Sequence, residues 1–426
     1  MEDDNNNDDT QSPNENETFH DSVEGDIIIT KHEKQQTTSV AAEMKKKKRK
    51  ALLDFRLRLE DAIYKRSLVG EKYKSRKNLK EIELWGVPLL PSKGYGKTDV
   101  VLKKFLKAKD YNAQNALEML GNTLMWREDF NIDKLFDENF GGDLENIGCI
   151  EGIDTAGHPL CYQCYEVFKD REILRKRLGT KESVNEFLRW RIKLMEGCIR
   201  KLDFKPDGCD SVIQIIDVKN IPRPFLNEMV QGSKTYFSIL QDHYPGIIYR
   251  FVIVNVPMWF FAFYTLNMRL MTRRYKVMYV KPSAITDTLL KFIKPEQLLA
   301  QYGGVRRQGG EFSPDEKVTE LKLKIYGTES IEIPMTETGM TIYWDLTVTG
   351  SEVNYKEEFV PEDEGSYNVL VSKGKQIGRM SSNSFHVTEP GKILITFANP
   401  TSKSRKVFYR YKLKPIAPMN AISVTD

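Results

Sequence analysis

Two patterns of hydrophobic and polar residues divide the chain. Between residues 99 and 305, apolar residues recur at helical spacing, as in 182–204 and 224–240, and these segments alternate with short apolar runs such as 211–218. Beyond Glu311 the helical period is absent, and short segments rich in β-branched and aromatic residues follow one another with turns between them. The first pattern predicts an α/β sheet, and the second predicts a β-sandwich.

An aromatic run interrupts the α/β pattern between two strand-like segments, 249–257 and 276–280. The run, from Met258 to Leu266, is too short to span a bilayer, which needs about 20 apolar residues. It is also too apolar for a surface helix, whose outer face should be polar. Two interpretations stay open: a core helix between two buried strands, or a mobile apolar lid over a lipid cavity, with the basic residues that follow it meeting a phosphate.

The N-terminal part of the chain differs in composition from the rest. Its first 40 residues are rich in Asp, Asn, Glu, Gln and Thr, so they cannot bury enough apolar surface to fold alone. The basic run Lys45–Lys50 follows within a helical pattern. Contact with anionic lipid, a solvated charge run and a nuclear-localisation patch are the alternatives for this run. The whole chain is therefore predicted to comprise a disordered acidic tail (1–40), a basic helical segment (41–80), a helical unit (81–140), an α/β domain (141–310) and a β-sandwich (311–426).

Composition and charge limit the classes of function only weakly. Charged residues make up 29% and hydrophobic residues 40%, as in ordinary globular proteins, and the net charge of +4 gives no reason to expect a nucleic-acid partner. The sequence shows no signal peptide and no transmembrane segment. Five scattered cysteines, an odd number, fit free thiols in a reducing compartment, so we expect a cytoplasmic protein.

The search for catalytic or metal-binding motifs favours a protein that is not an enzyme. The lone pair Cys161 and Cys164 lacks the second pair that a zinc site requires. A P-loop at 92–98 is excluded because its first glycine is replaced by Pro91. Asp217 ends a strand, where α/β enzymes place functional groups, but it also begins a plain turn. The sequence instead combines apolar volume with nearby cations, which suits acyl chains and a phosphate head group.

Several motifs resemble known lipid-binding domains. Residues 84–305 resemble a CRAL-TRIO lipid-transfer domain with its helical N-terminal unit, and residues 316–414 are similar to a GOLD domain. The motifs of the first are 84–90 (LWGVPLL), 105–111 (FLKAKDY), 241–246 (QDHYPG), 254–257 (VNVP), 295–298 (PEQL) and 301–304 (QYGG). The motifs of the second are 342–345 (IYWD), 355–361 (YKEEFVP), 384–385 (SF) and 409–411 (YRY). An acidic tail, CRAL-TRIO and GOLD in this order resemble the plant patellin family.

This resemblance implies a bowl-shaped α/β domain that holds one phospholipid or other hydrophobic ligand under a gating helix, with no other cofactor. It implies binding of phosphoinositides and anionic membranes, peripheral membrane association, and a role in membrane trafficking at the cell plate during cytokinesis. Trafficking proteins that bind the GOLD domain are further candidate partners, and they belong above all to the adaptor alternative. A trafficking adaptor with a vestigial pocket and a hydrolase with an unrecognised site are the alternatives to lipid transfer.

The resemblance also assigns site residues. The gate corresponds to residues 257–270, with the pocket residues Trp259, Phe260, Phe261, Phe263, Tyr264 and Leu266. The lipid head group is assigned to Lys276, Arg273, Arg274 and Lys109. Membrane contact is expected from Lys45, Lys46, Lys47, Lys48, Lys403, Arg405 and Lys406. The chain departs from the family pattern at Gly246, where an acidic residue is common, and in the three residues between Thr272 and Lys276. The additional arginines there favour a phosphate-driven, less selective site.

Overall fold

The computed structural model describes residues 31–70, 82–221, 225–257, 275–307, 309–313, 316–350, 353–377 and 380–415. The chain forms two compact units, Met1–Lys50 and Ala51–Asp426. Helix α1 is assigned to Lys31–Tyr64, so the segment that we expect to be disordered up to residue 40 is helical from Lys31 onward. Within the described residues, no helix is long and apolar enough to cross a bilayer.

The helical N-terminal unit is built from a small hairpin and two helices. Strands β1 and β2 pair antiparallel, and Trp85 in their turn stacks on Phe105 and Phe204 at centroid distances of 6.0 and 5.8 Å. Part of α1 belongs to the same core, because Phe55 and Leu59 are buried in it. The elements are β1 Glu83–Leu84, β2 Val87–Pro88, α2 Pro91–Ala108 and α3 Ala113–Asp129.

Helix α2 begins earlier than the sequence predicts. The segment 92–98 reads as a turn, with Asp99 capping a helix that starts at residue 100. In the structure Pro91 occupies the first turn of α2, where its missing N–H costs no hydrogen bond. Asp99 therefore lies inside the helix, and its carboxylate pairs with the guanidinium of Arg56 on α1.

The α/β domain contains a five-stranded sheet with the order β3-β4-β5-β6-β7. Only the β3–β4 pair is antiparallel, and the other neighbouring strands are parallel. All positions of β5 are buried, as expected for a strand covered on both faces. The strands are β3 Gly148–Ile153, β4 Pro159–Cys164, β5 Val212–Asp217, β6 Ile248–Val254 and β7 Val277–Val280. The helices are α4 Gly142–Glu145, α5 Arg171–Leu178, α6 Lys181–Ile199, α7 Phe225–His243 and α8 Ile285–Leu289.

The two faces of this sheet belong to different cores. Ile213 and Ile215 of β5 pack with α8, whereas Val212 and Ile216 lie in the core that includes α6 and α7. Cys161 and Cys164 of β4 likewise lie in opposite cores, as their spacing predicts. Within the described residues, no group of His, Cys, Asp and Glu side chains could hold a metal ion.

The C-terminal domain is a sandwich of two antiparallel four-stranded sheets, with the orders β13-β10-β15-β8 and β12-β11-β14-β9. The fully buried Trp344 and Phe397 lie in the core that alternating residues of the two sheets form. The strands are β8 Thr319–Leu323, β9 Thr328–Met335, β10 Met340–Val348, β11 Val353–Pro361, β12 Val369–Ile377, β13 Ser381–Val387, β14 Gly391–Ala398 and β15 Arg405–Pro415. The predicted fold class, an α/β domain with a helical N-terminal unit followed by an all-β sandwich, is confirmed.

A buried ion pair fastens the segment between the two domains to the outer face of the sandwich. Arg410 of β15 donates from Nε and Nη2 to Asp345 Oδ2, at 3.1 and 2.9 Å. Arg410 Nη2 also donates to the carbonyl oxygen of Val305 at 2.9 Å, and its guanidinium lies 4.5 Å from the Phe312 ring centroid. Thr347 donates from its hydroxyl to the carbonyl oxygen of Gly303 at 3.3 Å.

Candidate functional site

A cleft of about 750 Å³ lies between α2 and the first residues of β6. Its walls come from α2 and the residues just after it, the loop before β5, the end of α7 with the turn that follows it, the start of β6, and the residues before β7. The lining residues are Val100, Lys103, Lys104, Lys107, Ala108, Asp110, Lys205, Pro206, Gly208, Asp210, Ser211, Gln241, Pro245, Gly246, Ile248, Tyr249, Tyr275 and Lys276.

The cleft is strongly cationic. Five of the lining residues are lysines and two are aspartates, so the lining has a formal net charge of +3. Val100, Lys103, Lys104 and Lys107 line it from α2 at spacings of three and four residues, which places them on one helix face. Lysines brought together without matching carboxylates create a positive potential, and this potential attracts phosphate and other anions.

Lys104 fixes the wall of the cleft. Its side chain is only 7% exposed, and its Nζ donates to the carbonyl oxygen of Gly246 at 2.8 Å and pairs with Asp210 Oδ2 at 2.9 Å. Burial lowers the pKa of Lys104, and the adjacent Asp210 carboxylate opposes that shift. Gly246 has a φ of +64°, a left-handed conformation that favours glycine over residues with a side chain. Lys104 therefore holds the turn that closes the cleft.

The other four lysines have their charges available to a ligand. Lys103, Lys107, Lys205 and Lys276 form no ion pair within the described part of the chain, and all four are exposed. Ammonium groups are compact donors that bind phosphate as point charges. The cleft can thus bind an anion from α2 on one side and from Lys276 on the other.

Tyr249 separates Lys276 from the neighbouring hairpin. The Tyr249 ring stacks on His158 with centroids 4.2 Å apart, and His158 Nδ1 lies 2.9 Å from Asp154 Oδ2. Lys276 Nζ lies 5.3 Å from the Tyr249 centroid, a distance at which an ammonium is attracted to an aromatic face. The stacked rings thus provide a firm support for Lys276 at the mouth of the cleft.

Apolar side chains lie directly beside the cationic cleft. Tyr275, which lines the cleft, packs edge-on against Phe251 with centroids 5.3 Å apart. Val277 and Tyr279 of β7 are half-buried against the same core. This arrangement of cations next to partly covered apolar side chains suits an amphipathic ligand.

The structure places the predicted head-group residues as follows. Lys276 lines the cleft. Lys109 is half-buried just past the end of α2, between two lining residues, but it is not itself among them. Arg273 and Arg274 lie outside the described residues, as do the gate residues Trp259, Phe260, Phe261, Phe263, Tyr264 and Leu266. Their roles stay predictions, and the choice between a core helix and a lid is likewise left to experiment.

The predicted membrane-contact residues lie in two regions. Lys45, Lys46, Lys47 and Lys48 are exposed on α1. In the β-sandwich, Lys403 and Lys406 are exposed and Arg405 is half-buried, and Lys406 Nζ pairs with Glu320 Oε1 at 2.9 Å. Contact of these residues with a membrane surface stays a prediction.

The hydrogen bonds of Asp217 give it a structural role at the end of β5. Its carboxylate accepts hydrogen bonds from the backbone N–H of Lys219 at 2.9 Å, from Asn255 Nδ2 at 2.8 Å and from the Tyr302 hydroxyl at 3.0 Å. The first of these is the turn that the sequence suggested, so that interpretation is confirmed. The other two join the end of β5 to Asn255, which follows β6, and to Tyr302.

Sequence reasoning missed most of the cationic cleft. Lys103, Lys104 and Lys107 carried a usable signal, because their spacing predicts one helix face. Lys205 carried none, since it lies in a loop that only the tertiary structure brings to α2.

Three family models match the helical N-terminal unit, the α/β domain and the β-sandwich in turn. The family model described as "CRAL/TRIO, N-terminal domain" matches residues 51–122, and that described as "CRAL/TRIO domain" matches residues 145–304. The model described as "Patellin-1-like, C-terminal GOLD domain" matches residues 324–406. The first match begins within α1, where the helix also enters the core of the N-terminal unit.

Individual relatives agree with these matches. Patellin-4 of Arabidopsis thaliana is 43% identical over 340 residues, which cover 79% of this chain and 62% of that relative. Patellin-6 of the same plant is 36% identical over 373 residues, covering 83% of this chain and 90% of that relative. The "Phosphatidylinositol transfer protein SFH5" of Candida albicans is 26% identical over 242 residues, covering 53% of this chain and 73% of that relative. The chain thus spans less than two thirds of the length of Patellin-4.

Proposed function

The chain belongs to the patellin family, and from that membership we propose that it binds a phospholipid and transfers it between membranes. The observation that carries this proposal is the lysine-lined cleft, which brings Lys276 at the sheet together with Lys103 and Lys107 of α2. The name of a relative as a phosphatidylinositol transfer protein supports the same ligand class.

In this proposal the two parts of the ligand bind in different surroundings. The phosphorylated head group lies in the cleft, where the four exposed lysines neutralise its charge. The acyl chains lie along the apolar side chains next to Tyr275, under the gate assigned to residues 257–270, and each buried methylene contributes about 0.8 kcal/mol. Because the lysines recognise charge rather than ring hydroxyls, a phosphoinositide is favoured over a zwitterionic lipid mainly through its phosphates.

We further propose that the protein acts at membrane surfaces without chemistry of its own. It associates peripherally with anionic membranes in the cytoplasm, and it serves membrane trafficking at the cell plate during cytokinesis. The GOLD domain recruits protein partners. The cationic cleft supports contact with anionic lipid, and the other points are proposed from the resemblance to patellins.

A vesicle transfer assay tests the proposal. We expect the Lys103→Ala/Lys107→Ala/Lys276→Ala variant to transfer phosphatidylinositol 4-phosphate at least about tenfold more slowly than the unaltered protein, because each charge-assisted contact contributes about 1.5 to 3 kcal/mol. Transfer of phosphatidylcholine should fall less, since its head group carries no net charge. The measurement is the rate at which labelled lipid moves from donor to acceptor vesicles.

The matched control is Lys291→Ala, which removes an exposed lysine of the same domain that does not line the cleft. All variants are first checked for an unchanged melting temperature. Transfer of phosphatidylinositol 4-phosphate at the unaltered rate by the folded triple variant would refute the assignment of the cleft.

A further inference from the structure

Two loops meet at one end of the GOLD domain and expose large apolar side chains. The turn between β8 and β9, residues 324–327, carries Ile325 and Tyr326, which are 53% and 71% exposed. The loop between β14 and β15, residues 399–404, lies beside it, because the Tyr326 backbone N–H donates to the carbonyl oxygen of Thr401 at 3.4 Å. We refer to residues 324–327 and 399–406 together as the GOLD tip.

One buried side chain holds the GOLD tip in shape. Asn399 is 2% exposed, and its Nδ2 donates to the carbonyl oxygens of Lys324 and Lys403, both at 2.8 Å. Its Oδ1 accepts from the backbone N–H and the hydroxyl of Thr401, at 3.0 and 2.7 Å. The two loops are thereby joined as one rigid feature.

Tyr326 is presented outward from this feature at a conformational cost. Its φ is 50°, a left-handed conformation that an aromatic residue rarely adopts. The turn nevertheless exposes the ring instead of burying it. Because Asn399 fixes the backbone of both loops, little backbone entropy remains to be lost when Ile325 and Tyr326 bind.

The charged residues of the GOLD tip itself all have one sign. The GOLD tip contains Lys324, Lys403, Arg405 and Lys406, and it contains no Asp or Glu. Lys324 and Lys403 are exposed and form no ion pair within the described residues. Lys406 is paired with Glu320. Exposed apolar side chains next to unpaired lysines are complementary to a surface with an apolar interior and an anionic exterior.

We infer that the GOLD tip is a membrane anchor that inserts Ile325 and Tyr326 into the interface of an anionic bilayer. Tyrosine favours the boundary between head groups and acyl chains, an aliphatic side chain favours the acyl region, and juxtaposed lysines attract anionic lipid. An acidic protein fits the tip less well, since a stable protein interface buries at least about 1,000 Å² and needs many more contacts than one turn offers. A bilayer requires only that the turn enters it.

The inference rests on the proposed function, because a lipid carrier has to dock before it exchanges its ligand. It goes beyond the sequence-based expectation for Lys403, Arg405 and Lys406, which concerned charge alone. The apolar pair is what distinguishes insertion from simple electrostatic attraction.

The test compares three variants of the whole chain by sedimentation with vesicles of phosphatidylcholine, with and without phosphatidylserine. Ile325→Gln/Tyr326→Asn removes the apolar pair and keeps a residue that accepts the left-handed conformation. Lys324→Gln/Lys403→Gln removes the charges. Tyr367→Asn is the matched control, since Tyr367 is 91% exposed elsewhere in the same domain.

We expect the apolar variant to bind both kinds of vesicle about tenfold more weakly. The charge variant should lose about fivefold per lysine on vesicles that contain phosphatidylserine and nothing on those that lack it. The control should bind like the unaltered protein. Undiminished binding by the apolar variant, or an equal loss in the Tyr367→Asn control, would overturn the anchor.

The same preparations separate this inference from the proposed function. Lipid extracted from the apolar variant should equal that from the unaltered protein, because the GOLD tip does not line the cleft. A protein that docks through the tip but carries and transfers no lipid would refute the proposed function and leave the anchor intact. If the unaltered protein transfers lipid and the apolar variant still binds vesicles as tightly as it does, the anchor is refuted and the proposed function is kept.

Discussion

Replacing Glu196 by alanine is expected to lower the free energy of unfolding of the CRAL-TRIO domain by about 3 to 5 kcal/mol, because it leaves a buried guanidinium without its partner. Arg127 of α3 donates from Nη1 and Nη2 to the two carboxylate oxygens of Glu196 on α6, at 2.5 and 3.1 Å. The Tyr244 hydroxyl donates to Glu196 Oε1 at 2.6 Å. The carboxylate is nearly inaccessible to solvent.

The protonation of this cluster explains the size of the effect. Burial acts to lower the pKa of Arg127, but the adjacent Glu196 carboxylate outweighs it, so the pKa is raised and the guanidinium stays charged. Burial raises the pKa of Tyr244, and Glu196 adds to that shift. Without Glu196, the Arg127 guanidinium is buried, charged and unpaired. It can reach water only if the contact between α3 and α6 opens.

Denaturation in urea, followed by circular dichroism, measures this change. The control is Asp61→Ala, which breaks an exposed ion pair with Lys65 and should cost less than about 1 kcal/mol. The Arg127→Leu/Glu196→Leu double variant should lose less than Glu196→Ala alone, since it removes both charges. A loss for Glu196→Ala no larger than that of the Asp61 control would show that the buried pair does not hold the helical unit to the domain.

Replacing Arg410 by alanine is expected to destabilise the GOLD domain by about 3 kcal/mol. It should also release the inter-domain segment, which includes Val305 and Phe312, from the sandwich. The Asp345 carboxylate is fully buried, and the variant removes the hydrogen bonds to its Oδ2. Arg307 Nη2 still lies 3.2 Å from Asp345 Oδ1, so the carboxylate keeps one cationic partner. The expected loss of stability is therefore at the lower end of the range for a broken buried ion pair. The carbonyl oxygen of Val305 also loses its donor.

Trp344 is the sole tryptophan of residues 311–426 and is buried in the sandwich core, so it adds the unfolding of the sandwich to the fluorescence transition of the whole chain. This part of the transition should have a lower urea midpoint in Arg410→Ala, and trypsin should cut after Arg306 or Arg307 faster than in the unaltered protein. Arg410→Lys should give an intermediate loss, since lysine keeps the charge but not the planar fork.

Lys392→Ala is the control for this second prediction, because it breaks an exposed ion pair with Glu332 in the same domain and should cost less than about 1 kcal/mol. An Arg410→Ala protein whose Trp344 transition and trypsin pattern match those of the unaltered chain would show that the buried pair does not fasten the inter-domain segment.

The extent to which the fold could be predicted depended on how local the responsible interactions are. Strands of the sandwich such as Met340–Val348 and Val353–Pro361 could be predicted from the sequence, because a period of two and turn residues specify them locally. Helix α2 could not be delimited, since Gly94 and Gly96 make its first turns read as a loop. Packing against the rest of the domain overrides that weak propensity.

The same distinction holds for the functional residues. Lys276 was reached through the family resemblance, and the α2 lysines could have been reached through their spacing. Asp345 and Arg410 lie on the outer face of a sheet, where charged residues normally meet water, so nothing local marks them as a buried pair. Ile325 and Tyr326 read simply as the end of a strand, and only the structure shows them exposed beside Lys403.

Quantification of phospholipid in the purified chain tests the central claim most directly. The protein is denatured and extracted with organic solvent, and the lipid is identified and counted by mass spectrometry, before and after incubation with vesicles of phosphatidylinositol and phosphatidylcholine. Lipid carriage predicts a stoichiometric amount of glycerophospholipid that exchanges for vesicle lipid. A folded protein that contains no phospholipid, and acquires none from the vesicles, would contradict it and favour a trafficking adaptor with a vestigial pocket.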